Sequence, residues 1–174
     1  GVLERYGPWA AAFRAAGLVV AADGGAGNAR ALGLVPHAVV GDGDSLDPAT
    51  AAWLDVHGVP LLRHPRAKDE TALELALLHA VDQGAAEILV LAAWGGRPDQ
   101  AVANLLLLAH ERLAAVRVRL LGAGYQALVL RGPGAAALRA QVGDTVSLLP
   151  LGGDAAGVRT AGLQWALAGE PLRL

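Results

Sequence analysis

The sequence contains no cysteine and no methionine, and each absence limits what the protein can be. Without cysteine there are no disulfides, no thiolate zinc sites and no thiol nucleophile. This composition is compatible with a reducing, cytoplasmic location, which is the location we expect. Because the chain begins at Gly1 and holds no methionine, we also expect that its natural amino terminus is missing.

Charged residues are scarce, at 17% of 174 residues, and they carry no excess of positive charge. The sequence has 14 Lys and Arg and 16 Asp and Glu, which gives a net charge of -2. It therefore lacks the excess of basic residues that is typical of nucleic-acid-binding proteins. Although 54% of the residues are hydrophobic, no apolar stretch is long enough to span a bilayer. We therefore expect a substantial buried core, and neither nucleic acid nor a membrane among the partners.

Up to residue 122, short apolar segments alternate with helical ones. The apolar segments cover residues 18–22, 38–41, 59–63, 88–93 and 116–121. Helices are predicted over residues 8–16, 48–56 and 70–83, in a short run ending at Gly33 and in a long run ending near residue 114. Strands that are apolar throughout are typical of a parallel sheet flanked by helices. The sequence predicts an α/β domain over residues 1–122.

Beyond residue 122 the pattern changes. Short strand-like runs are separated by Gly-Pro, Gly-Asp and Gly-Gly turns, with no convincing helix between them. This pattern predicts a small antiparallel domain over residues 123–174.

Two aspartates directly follow the second strand of the α/β domain, in the sequence Asp42-Gly43-Asp44. In an open parallel sheet, ligands bind at the carboxyl ends of the strands. Two like charges so close together repel unless a cation lies between them, and carboxylate oxygens favour Mg²⁺ or Ca²⁺, of which we expect Mg²⁺. The alternative is an ordinary acidic turn followed by a helix with Asp47 as N-cap and Pro48 as its first residue.

Further polar turns follow other strands. Asp23 leads a turn containing Gly24 and Gly25, where backbone N–H groups could approach a phosphate. A dinucleotide fingerprint is not predicted, because Arg30 stands where its third glycine would be. A tight strand-to-helix turn would also explain the glycines, although not the aspartate.

The helix over residues 70–83 has two candidate N-caps. Thr71 and Glu74 have capping-box spacing, while Asp69 could serve instead. Because every polar turn follows a strand, we expect the polar side chains to lie along one edge of one sheet. These are Asp23, Asp42, Asp44, Asp69, Arg97 and Asp99.

The order of these motifs resembles the thiamine pyrophosphokinase family. The matching segments are Ala22-Asp23-Gly24-Gly25-Ala26, Gly41-Asp42-Gly43-Asp44-Ser45, Lys68-Asp69-Glu70-Thr71 with Glu74-Leu75-Ala76, Gly95-Gly96-Arg97-Pro98-Asp99 with Ala103-Asn104, and Gly162-Leu163-Gln164-Trp165-Ala166-Leu167. The resemblance implies an α/β catalytic domain, a carboxyl-terminal β-sandwich domain that binds thiamine, and a homodimer with active sites at the subunit interface. The implied reaction is Mg²⁺-dependent transfer of diphosphate from ATP to the hydroxyl of thiamine, which releases AMP.

The resemblance also implies roles for particular residues. Metal binding falls to Asp23, Asp42, Asp44 and Asp69, and ATP binding to Asp23, Gly24, Gly25, Asn28 and Arg97. The catalytic set is Asp42, Asp44, Asp69, Arg97 and Asp99, in which either Asp69 or Asp99 accepts the hydroxyl proton. Thiamine would contact Asp99, Asn104 and Trp165, with Trp165 as an aromatic wall supplied by the partner subunit.

The sequence departs from the family pattern at four points. Ala72 stands where a second aspartate is usual, and Gln100 stands where histidine is usual. The serine-asparagine element that follows the tryptophan strand is absent, and the first strand is missing, so we expect a chain trimmed at both ends. These features keep two alternatives open. One is a diphosphokinase for another heterocyclic alcohol, such as a hydroxymethylpterin, and the other is a binding module without turnover.

Overall fold

The chain forms two compact units, Gly1–Gly134 and Ala135–Leu174, in a computed structural model. The structure describes residues 6–7, 9–65, 69–94 and 97–174. This division lies later than the domain boundary expected after residue 122, because the strand Tyr125–Leu128 turns back and pairs with its predecessor.

The first unit alternates helices and strands, as the sequence predicted. Its helices are α1 (Ala10–Arg14), α2 (Gly25–Ala31), α3 (Pro48–Val56), α4 (Ala72–Asp82) and α5 (Pro98–Leu107), with a 3-10 turn over Glu111–Leu113. Its strands are β1 (Val20–Ala22), β2 (Ala38–Gly41), β3 (Leu61–Arg63), β4 (Glu87–Leu91), β5 (Arg117–Gly122) and β6 (Tyr125–Leu128). The α/β fold class is confirmed.

The strands form two three-stranded sheets where the sequence predicted one. In the first sheet, β1, β2 and β3 are parallel neighbours in that order. In the second, β4 and β5 are parallel, and β6 pairs antiparallel with β5. Parallel pairs require a crossover, and a helix supplies it after β1, β2 and β4. A two-residue connection containing Gly124, at φ +91°, forms the β5–β6 hairpin instead.

Helices cover both faces of β5, which explains why two adjacent leucines of that strand are buried. Leu120 packs with Leu77 of α4 and Leu108, whereas its neighbour Leu121 packs with Phe13 of α1. Successive residues of a strand point to opposite faces, so two covered faces require two adjacent buried leucines. Similarly, all four residues of β2 are buried.

Two helix starts decide between alternatives left open by the sequence. Asp47 is the N-cap of α3, and its carboxylate accepts hydrogen bonds from the N–H groups of Ala49 and Thr50 at 3.0 Å. Thr71 is the N-cap of α4 and accepts from the Glu74 N–H at 3.1 Å. The bend residue Asp69 is therefore not a helix cap.

The second unit, all of whose residues 135–174 are described, contains isolated antiparallel bridges in place of extended strands. Ala155 bridges Leu172, and Arg159 bridges Ala168. An ion pair between Asp154 and Arg173, at 2.7 Å, flanks the first bridge. Across both units, the described helices include none with the length and apolarity needed to cross a membrane.

Candidate functional site

Three carboxylates converge at the carboxyl ends of β1 and β2. Within the described part of the chain, Asp23, Asp42 and Asp44 form the one acidic group in which an oxygen of each residue lies within 4.8 Å of the others. We call this group the aspartate triad. Opposite ligands of a six-coordinate Mg²⁺ lie about 4.2 Å apart, because each bond is about 2.1 Å long. The 4.8 Å limit is close to this separation, and the triad offers the hard oxygen ligands that one such ion prefers.

Strand pairing brings the triad together. Ala22, the last residue of β1, is in register with Val40, so Asp23 leaves its strand beside the end of β2. The Asp23 N–H extends the ladder by donating to the Val40 carbonyl at 2.9 Å. Asp23 then adopts φ +47°, a left-handed conformation that is uncommon for residues other than glycine.

Gly41 provides the space that the Asp23 carboxylate occupies. A Cβ atom on Gly41 would lie 2.6 Å from Asp23 Cγ and 2.7 Å from its Oδ1, which is closer than non-bonded atoms approach. Gly41 also has φ +155°, which side chains other than hydrogen disfavour. Glycine at this position is therefore required by the position of the first carboxylate.

Hydrogen bonds hold all three carboxylates of the triad. The Gly43 N–H donates to Asp23 Oδ1 and the Asp44 N–H to Asp42 Oδ1, both at 3.0 Å. The Ser45 hydroxyl donates to Asp44 Oδ1, also at 3.0 Å. Asp23 and Asp42 are half-buried, whereas Asp44 is exposed. Donors reduce the repulsion among the carboxylates, and the exposed side leaves the triad accessible to a ligand.

Arg97 and Asp99 form a two-bond ion pair at the start of α5. Arg97 Nε donates to Asp99 Oδ1 at 3.1 Å, and Nη2 donates to Oδ2. Hydrogen bonding from Arg97 lowers the pKa of Asp99, and the same hydrogen bond raises the pKa of Arg97. Both side chains are exposed, so the pair is open to solvent.

Asn104 lies on α5 and ties that helix to the segment after β4. Its Nδ2 donates to the Ala93 carbonyl at 2.8 Å, and the preceding residue, Ala92, has φ +56°. This contact gives a structural reason for a polar side chain on an otherwise apolar helix face.

The other predicted site residues are not members of the triad. Asp69 is exposed in the bend before α4 and is not a member of the triad. Gly24 caps the start of α2, Gly25 is its first residue, and Asn28 is exposed on it. Trp165, in the second unit, is 81% exposed. Residues 68, 95 and 96 of the quoted motifs lie outside the described residues.

Sequence reasoning did not single out Arg63, the last residue of β3. Its Nη1 donates to the Asp42 carbonyl at 2.9 Å, which places a guanidinium beside the triad. The available signal was a charged residue at the end of an apolar strand in a parallel sheet.

Comparison with known proteins gave matches across both units. The family model described as "Thiamin pyrophosphokinase, catalytic domain" matches residues 9–120, and the model described as "Thiamin pyrophosphokinase, vitamin B1 binding domain" matches residues 137–174. No curated protein matches the sequence significantly.

Three solved structures illustrate the likeness. The thiamine pyrophosphokinase from Bacillus subtilis has a TM-score of 0.76 at 21% identity, covering 90% of this chain and 73% of that one. The thiamin pyrophosphokinase from Candida albicans has a TM-score of 0.52 at 20% identity, covering 62% and 51%. A protein from Lactobacillus plantarum has a TM-score of 0.50 at 30% identity, covering 60% and 51%. The matched region thus spans about half the length of the latter two. At 20 and 21% identity the likeness bears on fold alone.

The α/β fold, the strand-end triad and the catalytic-domain match define the class of this protein as a transferase of the kinase type. The catalytic-domain model covers more than half of the 174 residues, and the vitamin B1 binding model covers most of the second unit. The chain belongs to the thiamin pyrophosphokinase family, as its motifs predicted.

Proposed function

We propose that the chain transfers diphosphate from ATP to the hydroxyl of thiamine in a Mg²⁺-dependent reaction that yields thiamine diphosphate and AMP. The observation that carries the proposal is the triad of Asp23, Asp42 and Asp44 at the strand ends of a chain in this family. Three carboxylates grouped so closely suit a divalent cation better than they suit a bare polyphosphate.

The triad would hold Mg²⁺, with Asp69 as a fourth acidic group at the ATP phosphates. When bound, Mg²⁺ supplies neutralisation of phosphate charge. The protein must also align the two substrates, because the alcohol oxygen attacks the β-phosphorus as AMP departs. Gly24, Gly25 and Asn28 remain our proposed contacts for ATP beside Asp23.

Arg97 and Asp99 would have different roles. The guanidinium of Arg97 can offer a fork of donors to a phosphate, and Asp99 fixes the orientation of that fork through its ion pair. Because Arg97 lowers the pKa of Asp99, the carboxylate of Asp99 is a weaker base than an unpaired one. We therefore assign the orienting role to Asp99 and acceptance of the hydroxyl proton to Asp69.

Thiamine binding would involve Trp165 and Asn104 in addition to Asp99. The exposure of Trp165 leaves its ring available to pack on a flat cationic heterocycle. Asn104 uses one amide hydrogen on Ala93 and retains a second hydrogen and an acceptor oxygen for a substrate. We propose that the tryptophan is contributed by the partner subunit of a homodimer, and that the enzyme acts in the cytoplasm.

The test is AMP release from ATP and Mg²⁺, with thiamine, with hydroxymethylpterin, and with neither. We expect AMP with thiamine alone, and loss of that signal in Asp42→Asn. Arg117→Gln, at the amino-terminal end of β5, serves as the control and should release AMP at the same rate as the parent protein. Release with the pterin alone would favour the other acceptor. Nucleotide binding without any AMP would favour the binding module, which the side chains of Ala72 and Gln100 motivate.

A further inference from the structure

We infer that Arg63 is a positioning residue that fixes the orientation of the Asp42–Gly43 peptide and, through it, the geometry of the aspartate triad. The inference rests on the proposed metal site. Arg63 has no assigned role in the transfer reaction, and it acts on the triad through the main chain.

A single peptide unit is held from both sides. Arg63 Nη1 donates to the carbonyl oxygen of Asp42 at 2.9 Å. The N–H of the same peptide, belonging to Gly43, donates to Asp23 Oδ1 at 3.0 Å. A cation thus fixes the carbonyl end of this peptide, and a carboxylate of the triad accepts from its N–H end.

The ladder between β2 and β3 brings the guanidinium to this position. Gly41 pairs with Arg63 in the parallel register, and the His64 N–H donates to the Gly41 carbonyl at 3.0 Å. Arg63 therefore stands beside the residue where β2 ends and the acidic loop begins. Its backbone belongs to a sheet, so its side chain starts from a fixed point.

The peptide needs such a constraint because Gly43 has no Cβ to resist rotation. Gly43 adopts φ +82°, and glycine populates positive and negative φ about equally. If the peptide rotated, the Asp42 carbonyl would face the Asp23 carboxylate in place of the Gly43 N–H. That exchange would replace a hydrogen bond with repulsion between two oxygens and displace a metal-binding carboxylate.

Packing against β3 does not by itself fix the orientation of the Asp42–Gly43 peptide. A Cβ on Gly43 would lie 3.0 Å from Leu61 Cδ2 and 3.6 Å from Arg63 Nη1, so β3 contacts the loop through those two side chains. Leu61 offers no donor for the Asp42 carbonyl. The specific orientation of the peptide therefore depends on the guanidinium.

The charge of Arg63 and its proposed positioning role predict opposite changes in cation affinity when the side chain is removed, so an experiment can distinguish them. Arg63 is a positive charge beside three carboxylates, so its removal should strengthen cation binding if charge alone matters. If Arg63 instead fixes the triad, its removal should weaken cation binding because the carboxylates lose their arrangement.

The experiment measures Mn²⁺ affinity of the whole chain without nucleotide, using the electron paramagnetic resonance signal of unbound Mn²⁺. We expect Arg63→Gln to raise the Kd for Mn²⁺ about ten-fold. Arg63→Lys should recover part of the affinity, because an ammonium can still donate to the Asp42 carbonyl. Arg117→Gln removes the same charge from an exposed strand residue and should leave the Kd unchanged.

A kinetic measurement provides a second readout. The Mg²⁺ concentration for half-maximal AMP release should rise in Arg63→Gln, while kcat at saturating Mg²⁺ stays near that of the parent protein. Circular dichroism checks that each variant folds. If Arg63→Gln is unfolded, Arg63→Lys is compared with the parent protein in its place, and it should still bind Mn²⁺ more weakly than the parent. Unchanged or tighter Mn²⁺ binding in the folded variants would overturn the inference and leave the metal site standing. Absence of Mn²⁺ binding in the parent protein would overturn both.

Discussion

Gly41→Ala should damage the proposed metal site more than it damages the fold. The new methyl group would lie within 3.0 Å of Cγ and both carboxylate oxygens of Asp23, at 2.6, 2.7 and 2.9 Å. Gly41 is buried at the end of β2, so the methyl group has no open direction. The short Asp23 side chain must therefore move, and its hydrogen bond from Gly43 must break.

Two costs contribute to the loss of stability. Overpacking a buried position costs about 1–3 kcal/mol, and a sparsely populated backbone conformation costs about 1–3 kcal/mol. We expect the free energy of unfolding to fall by about 2–6 kcal/mol. Displacement of one carboxylate should weaken Mn²⁺ binding by about 10–100-fold, the usual effect of disturbing the support of a metal ligand.

Gly58→Ala is the matched control for this prediction. Gly58 also has a positive φ, +64°, but a Cβ there would meet nothing within 4 Å. Its variant should lose about 1–2 kcal/mol through backbone strain and keep the Mn²⁺ affinity of the parent. Urea unfolding and Mn²⁺ titration give the two quantities. If both glycine variants bind Mn²⁺ equally well, the reasoning about Gly41 is refuted.

Three further predictions concern helix starts and the ion pair. Thr71→Ala removes the side-chain cap of α4 and should lower the free energy of unfolding by about 1 kcal/mol in urea titrations. Hydrogen bonds from Thr50 lower the pKa of Asp47, so its stabilising effect is present above the unfolded pKa and is lost as pH falls through the folded value. Asp47→Asn should therefore reduce the drop in melting temperature between neutral pH and about pH 3. Asp99→Asn should lower kcat/KM for ATP about ten-fold, because Arg97 loses the ion pair that orients it. The acidic limb of the pH profile of kcat/KM should persist in this variant, and its loss would identify Asp99 as the proton acceptor.

The α/β order and the triad could be predicted because each depends on local patterns. Apolar runs with no polar face indicate strands covered on both sides, as in β2, where all four residues are buried. Asp23 and Asp42 each follow such a strand directly, so parallel pairing of adjacent strands was sufficient to bring them together.

Other features depend on contacts that a sequence pattern does not encode. The hydrogen bond from Arg63 to Asp42 joins residues 21 positions apart, and the charge at the end of β3 does not indicate its partner. The first unit extends past residue 122 because Tyr125 pairs with Gly122 in a hairpin. The sequence pattern does not show whether this strand joins the sheet before it or the domain after it. The assignment of Thr71 as the cap of α4 needed backbone geometry, because Asp69 had an equally suitable side chain.

The fate of labelled phosphates distinguishes diphosphate transfer from every other reaction of ATP with thiamine. ATP labelled separately at its β- and γ-phosphorus would be incubated with the protein, Mg²⁺ and thiamine, and the labelled products separated. The account predicts that both labels enter one thiamine product and that the AMP formed carries neither. A thiamine product with the γ-label alone, or no labelled thiamine product at all, would contradict diphosphate transfer by this chain.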